Sequence, residues 1–416
     1  MLSDRSDSII LMKKPAQMVF SAFILIGLGT FILGLWGNHP ERVWQSYVIN
    51  FLFWSGMAQG ALVFSALMHI TKARWSGPLS GLSEAFAAFF PVSFILFFIL
   101  FIGRTYIFPW MHEDLHGKEV WLNIPFLFSR DLAGLLILYL FGFVYLYYAL
   151  QLKFDPRHFR GGLRKFIPSG WQKNGRKVEF IKGRMSVWGG LYILAFAFVL
   201  SLIGYDLIMS MEPDWISSLF GAYIFIKAIY AGLGGLIILA SVHYLKNGEA
   251  SGITGSHFHD SGKLLFAFCL LWADFFYAQF LVIWYGNISE ETHFVILRTM
   301  VQPWKTLAWT VFFMDFIIPF VVLLNRKIKT KPVLMILLCS MVLIGIWLEH
   351  LLLLSPSWNR HATALPLGLS DIMISLGFLG ALVLSISLFM RSFPEVTISV
   401  GAGPGPAPTG FSPSPE

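Results

Sequence analysis

From Ala85 to Ile102 the chain reads Ala-Phe-Ala-Ala-Phe-Phe-Pro-Val-Ser-Phe-Ile-Leu-Phe-Phe-Ile-Leu-Phe-Ile, without one charged side chain. As a helix rising 1.5 Å per residue, this stretch comes close to crossing the roughly 30 Å of hydrocarbon in a bilayer. A backbone in lipid must satisfy its own N–H and C=O groups, which a helix does within one segment. With its flanks the stretch predicts a transmembrane helix over 83–103. Nine more segments of the same kind are predicted at about 17–36, 46–70, 131–152, 186–209, 216–245, 262–285, 301–325, 332–354 and 368–390.

The composition agrees. Of 416 residues, 56% are hydrophobic and 13% charged, and the mean hydropathy is +0.69. A soluble domain carries about 25% charged residues, so a water-soluble enzyme is excluded. The 41 Phe, 15 Trp and 13 Tyr suit lipid-facing helices and interfacial belts. A net charge of +7 raises the question of nucleic acid. Residues 153–185 answer it: they hold ten Lys/Arg against Asp155 and Glu179. One loop, read as a solvated anchor on anionic lipid headgroups, accounts for the excess, and no nucleic-acid partner is expected.

Cys269 and Cys339 both lie in apolar runs, and there is no Cys-x-x-Cys. No cysteine-held iron–sulfur cluster, zinc site, attached haem or disulfide framework is therefore expected.

Orientation follows from the basic residues. With the N-terminus inside, 21 Lys/Arg fall on the cytoplasmic side and six outside, while Lys227, Lys263 and Lys305 lie within spans. Both termini are expected in the cytoplasm. The first span follows Lys13 and Lys14 and has no small-residue cleavage site after Trp36, so it reads as an uncleaved anchor. Residues 1–16 form a cytoplasmic segment, 17–390 a ten-helix membrane domain and 391–416 a disordered cytoplasmic tail. The end of that tail, Gly401 to Glu416, contains four Gly and five Pro and has little apolar surface to bury.

An internal repeat is suggested. The second span contains Gly56-x-x-x-Gly60 with His69 nine residues on, and the sixth contains Gly232 and Gly234 with His243 nine residues on. Each opens a set of four helices. The expected all-α architecture is two parallel-related four-helix bundles, about 46–209 and 216–354, with spans one and ten flanking them.

A charge near the bilayer centre costs roughly 2.5–3.5 kcal/mol on insertion scales, so polar groups there are functional candidates. Gln59, Lys227, Asp274 and Asp315 are placed near mid-membrane, and His69, Glu84, His243 and Lys263 toward the cytoplasmic ends. Arg104, Arg130, Asp131, Asp206, Glu349, His350 and Asp371 are placed toward the outer ends. Lys227 and Asp274, of opposite sign on neighbouring spans, would pair either as a static register device or as a step in a proton path. The candidate path comprises Gln59, His69, Glu84, Lys227, His243, Asp274 and Asp315, with Asp315, which has no cation in its own span, expected to titrate. A quinol headgroup needs a His or carboxylate proton acceptor against an aromatic wall, and Glu349-His350 with Asp131 or Asp206 could supply it. Ordinary helix-end charge is the alternative for each of these. His69 and His243 could also face a haem b, although helix-end histidines are more often interfacial.

Several segments are familiar together. They are Trp75-Ser-Gly-Pro-Leu followed by Glu84-Ala-Phe-Ala-Ala-Phe, and Ser210-Met-Glu-Pro-Asp-Trp-Ile-Ser-Ser-Leu-Phe-Gly-Ala-Tyr223. With them go Asp260-Ser-Gly-Lys-Leu-Leu-Phe-Ala-Phe268, Tyr277-Ala-Gln-Phe and Ile283-Trp-Tyr-Gly-Asn-Ile-Ser-Glu-Glu-Thr292. Over roughly 15–390 the chain resembles the NrfD/polysulfide-reductase membrane-subunit family, and within it the ActF-type subunits of bacterial alternative complex III, a quinol:electron-acceptor oxidoreductase. The resemblance implies two four-helix bundles in a bacterial cytoplasmic membrane. It also implies a second NrfD-like paralogue, an iron–sulfur subunit and haem c subunits as partners, with menaquinone or ubiquinone as the substrate of the assembly. No cofactor is expected in this chain itself. The family's quinol site uses a His and an Asp at the outer end of a bundle. Here span three ends in Arg104-Thr-Tyr106 and Asp131 opens span four, so a proton-conducting or supporting role is implied instead. A quinone-binding anchor for a molybdenum or iron–sulfur reductase is the second reading. A secondary transporter is the third, although Pro91 and Pro319 do not occupy corresponding positions in two halves.

Overall fold

A computed structural model describes residues 14–112, 114, 115, 117–153, 175–360 and 362–396. Most of the N-terminal segment, His116, the basic stretch 154–174 and the tail from 397 lie outside the described residues. All regular structure among the described residues is helical. Ten helical segments are long and apolar enough to span a bilayer, which makes this a multi-pass membrane protein. They are α1 (Lys14–Leu35), α2 (Pro40–Ile70), α3 (Arg74–Ile102), α4 (Ile124–Lys153), α5 (Gly175–Leu207), α6 (Phe220–Asn247), α7 (Gly255–Gly286), α8 (Trp304–Leu324), α9 (Pro332–Trp358) and α10 (Leu369–Ser392).

Most helices extend beyond the apolar runs that announced them, because their polar ends still find helical partners. Pro40 and Pro332 start α2 and α9, where a missing N–H costs nothing. α6 stops at Gly248, whose φ of 58° is a conformation glycine adopts without strain. A short helix, Ser289–Thr299, occupies what the sequence presents as a loop, burying Phe294, Leu297 and Arg298.

Two prolines shape the spans they sit in. Pro91 cannot donate to the carbonyl four residues back, and α3 is correspondingly two helices, Gly77–Glu84 and Phe90–Ile102, joined by the 3-10 stretch Ala85–Phe89. Pro319 likewise leaves the carbonyl of Asp315 without its helical partner, and α8 widens into a π turn over Phe313–Ile317. That carbonyl is taken instead by the Tyr230 hydroxyl at 3.1 Å and by Cys269 Sγ at 3.5 Å.

α2 is buried almost all round, as expected of a helix with no polar face. It packs along α6 and also touches α3, α5, α9 and α10, while α6 packs in turn on α5, α7 and α9. The α2–α6 contact is backbone on backbone. A Cβ on Gly60 would land on the carbonyl of Ala228, and one on Gly232 on the Gly60–Ala61 peptide. α4 lies on α5, α8 lies on α7 and α9, and α1 pairs with α10 at the side.

Candidate functional site

The α6 residues Tyr223, Lys227 and Tyr230 are spaced four and three apart and so share one helix face. That face meets Gly345 and Glu349 of α9, four apart in the same way, with Trp272 of α7 and Asp315 of α8 closing the sides. Glu349 is the hub. It accepts hydrogen bonds from the Tyr223 hydroxyl, from Lys227 Nζ at 3.3 Å and from Trp272 Nε1 at 3.2 Å. Lys227 is 1% exposed and Glu349 2%. The pair lies about 13 Å in from the Trp358 end of α9, counted at 1.5 Å per residue.

Asp315 sits one turn deeper. It is fully buried, its carboxyl packs against Gly345, and neither carboxyl oxygen has a hydrogen-bond partner. Gly345 is what makes room, since a Cβ there would collide with the Asp315 carboxyl. One helical turn separates Gly345, against which the Asp315 carboxyl packs, from Glu349.

Two cavities adjoin this group. The first lies between α2, α5, α6 and α9, is about 20 Å³, and is lined by Ser55, Gln59, Lys227 and His350 among apolar neighbours. That volume admits a single water. From it a hydrogen-bonded string leads into the first four-helix segment: Gln59 Nε2 donates to Tyr139 at 2.7 Å, and Ser93 bonds both Tyr139 at 2.7 Å and Ser55 at 2.6 Å. Further along α2, Ser65 bonds Glu84 at 3.0 Å and Tyr145 at 2.9 Å, and Lys153 bonds Glu84 at 2.6 Å. Between Gln59 and Ser65 there are about 9 Å of helix.

The second cavity, about 80 Å³, lies on the other side of Glu349, at the end that the basic-residue count makes the outer one. Its walls are Trp215, Tyr223, Trp272, Phe276, Phe280 and Phe294, and its polar lining is Glu349, Arg298 and Gln279. Arg298 lies 3.6 Å over Phe294, which stacks on Trp215 at 3.6 Å. Arg298 is held by the Leu353 carbonyl at 2.8 Å and Ser357 at 2.9 Å, with Glu212 at 3.9 Å. Burial pushes its pKa down to about 9 and Glu212 opposes the shift, so the guanidinium stays charged at neutral pH.

Sequence expectations are met unevenly here. Lys227, Asp315, Glu349 and His350 come together, but Lys227 pairs with Glu349 and not with Asp274. Asp274 is exposed on the outward side of α7, without a partner among the described residues. Glu349 and His350 are also part of this inner group, not neighbours of Asp131 or Asp206. His350 bonds the Ile346 carbonyl at 2.8 Å and faces the first cavity.

The remaining outer residues form separate ties. Arg130 holds Asp206 with two bonds of 2.6 Å, its guanidinium 3.9 Å over Trp121, and Asp131 lies buried against Asp206. Asp371 is bonded by Arg42 and by the N–H of Gly368 at the start of α10, a structural cap. Arg104, just past the end of α3, donates back to the Phe101 carbonyl of that helix. At the opposite ends, His69 bonds the Lys182 carbonyl and Ser186, and His243 bonds Asn247. Each ring is thus engaged on its own.

Sequence reasoning did not single out Tyr223, Trp272, Arg298 or Tyr139 as site residues. For the first three a signal existed. Tyr223 ends the Ser210–Tyr223 segment, Trp272 lies two residues from Asp274, and Arg298 is the lone Lys or Arg between spans seven and eight. Neither a family model nor any curated protein matches this chain.

Proposed function

We propose that this chain is an NrfD-like membrane subunit of a quinol:electron-acceptor oxidoreductase of the alternative complex III kind, in a bacterial cytoplasmic membrane with both termini inside. It scaffolds the assembly and carries protons coupled to quinol oxidation, while iron–sulfur and haem c subunits carry the electrons. The ten helices form two parallel-related bundles, α2–α5 and α6–α9, flanked by α1 and α10.

One observation carries the proton-conducting part: the buried Asp315–Lys227–Glu349 group sits between a water-sized cavity and an outward aromatic one. Titratable groups at neighbouring depths are what a proton relay through a bundle requires. Lys227 is the mobile member of this relay: it rests on Glu349, and its flexible stem carries three donors. Glu349 exchanges protons with the outer cavity. Gln59, Tyr139 and Ser93 continue the string on the other side of the first cavity, and Glu84 with Lys153 and Ser65 forms its cytoplasmic entrance. Asp274 has no place in this path, because its side chain faces away from it.

The test is Asp315→Asn in the intact complex. The amide keeps the shape that Gly345 accommodates, so the assembly should purify normally and turn over quinol, with fewer protons translocated per electron. A wild-type ratio in reconstituted vesicles would return Asp315 to a packing role.

A second reading, that a quinone binds this chain, is favoured by the aromatic cavity ending on Glu349. Aromatic walls with few convergent polar groups are what a ring with two oxygens fits. Trp272→Phe and Phe280→Ala are then expected to raise the concentration of a quinol-site inhibitor needed for half-inhibition by about tenfold, which corresponds to about 1.4 kcal/mol. His350→Gln, on the other cavity, should leave it unchanged. Unaltered titrations in both cavity variants would leave quinone binding to the partner subunits.

A further inference from the structure

α7 buries little of itself: 17% of its most apolar window is buried, against 72% in α6, 39% in α9 and 28% in α8, and only the flanking α1, at 6%, buries less. Its outward side carries Lys263, Ala267, Leu270, Asp274 and Tyr277 at spacings of four, three, four and three, and all five are exposed. At 100° per residue these fall within one stripe along the helix. Trp272, two residues from Asp274, points the opposite way, to Glu349.

Asp274 is the anomaly on that stripe. It lies about 5 Å from the midpoint of the 32-residue helix. Cys269, one turn away, touches the carbonyl of Asp315. No donor among the described residues reaches Asp274, whereas the buried Asp206 and Asp371 are each paired with an arginine, Arg130 and Arg42. An acidic side chain facing hydrocarbon at that depth costs roughly 2.5–3.5 kcal/mol. A helix that buries so little of itself, with its single charge in mid-span, is incomplete alone.

We infer that the outward stripe of α7 centred on Asp274 is an intramembrane docking face for a transmembrane helix of a different subunit, one that presents a lysine or arginine at the depth of Asp274. Charge complementarity selects the occupant. A second copy of this chain related by a two-fold axis through the stripe would set Asp274 against Asp274, which repels. Lipid would leave the carboxylate without a counter-charge. Ala267 lets a partner backbone come close below Asp274, and Tyr277 offers it an aromatic surface above. The inference concerns an assembly face and does not depend on whether the assembly oxidises quinol.

The experiment places a benzoylphenylalanine photocrosslinker at Tyr277, which is 59% exposed, and for comparison at Phe198 of α5, which is 70% exposed. The full chain is expressed in the membrane of the organism that makes it. Irradiation should give one discrete protein adduct from position 277, mapped by mass spectrometry to a transmembrane helix containing Lys or Arg. Asp274→Leu and Asp274→Lys should each lower its yield about tenfold or more, in line with the cost of an unpaired charge at that depth. Asp274→Glu should preserve it, and the Phe198 adduct should not respond to any of the three. Adducts to lipid alone, to a second copy of this chain or to a helix without a basic residue would overturn the proposal, as would a yield indifferent to Asp274→Leu.

Discussion

Lys227→Met should be the most damaging single substitution in the buried polar group, lowering stability by about 3–5 kcal/mol. Lys227 and Glu349 are almost sealed from solvent and 3.3 Å apart. Taking either charge out of water costs several kcal/mol, and their mutual attraction offsets that only while both are present. Removing the lysine leaves a carboxylate whose remaining donors, the Tyr223 hydroxyl and Trp272 Nε1, are neutral.

The double variant Lys227→Met/Glu349→Gln should regain most of the loss, because no charge is then left alone. Non-additivity of this sign is what a double-mutant cycle reads as direct coupling. The measurement is the thermal midpoint of the purified protein in one detergent for the wild type, both singles and the double. A single variant melting with the wild type would mean that the two groups do not form an ion pair in the resting protein. The double variant also separates stability from function. If the relay runs through Lys227 and Glu349, it should fold and still fail to move protons.

That pair also shows where sequence reasoning stops. Ten spans were legible because lipid leaves the backbone almost no choice, and long uncharged runs announce themselves. Asp315 was legible as an interior carboxyl for the same reason. The partner of Lys227 was not. Choosing the charge on the next span favoured Asp274, but residues 272 and 274 project about 200° apart on a helix. Nothing in the local sequence states which of them looks inward, since a tryptophan suits a buried cavity or a lipid interface equally. Glu349 became the partner because α6 packs against α9 as well as α7, a long-range fact. The outer cluster dissolved for a related reason: sorting by depth groups residues by height, while Arg130–Asp206, Arg42–Asp371 and Glu349–Lys227 are separated in the plane of the membrane. The polar strings through Tyr139, Ser93 and Ser65 were invisible because hydroxyls inside apolar helices look alike until the helices are placed side by side.

Gly232→Val is the second large effect. Gly60 and Gly232 entered the sequence reading only as marks of an internal repeat, and in the structure each meets the other's helix. The atoms a Cβ on Gly232 would strike belong to the Gly60–Ala61 peptide, which is backbone and cannot rotate away. Overpacking costs about 1–3 kcal/mol where side chains can yield. Here any added Cβ forces α2 and α6 apart as rigid bodies, so Gly232→Ala should already cost about 3 kcal/mol, the top of that range, and the larger valine should exceed it and deplete folded protein.

Two other glycines calibrate the measurement. A Cβ on Gly234 meets only the flexible end of Leu343, and one on Gly190 meets nothing within 4 Å. Gly190→Ala should therefore be neutral or stabilising by up to about 1 kcal/mol, through helix propensity alone. Thermal midpoints that place Gly232→Ala beside Gly190→Ala would show that α2 and α6 tolerate a wider spacing than this fold has. A clear gap would bear on function as well as stability. The same α2–α6 surface forms the cavity joining Gln59 to Lys227, and that cavity has room for one water. Spreading the helices by the width of a methyl group would enlarge it, so if the proposed relay runs through Lys227, an alanine variant that still assembles should change proton transfer without touching a titratable residue.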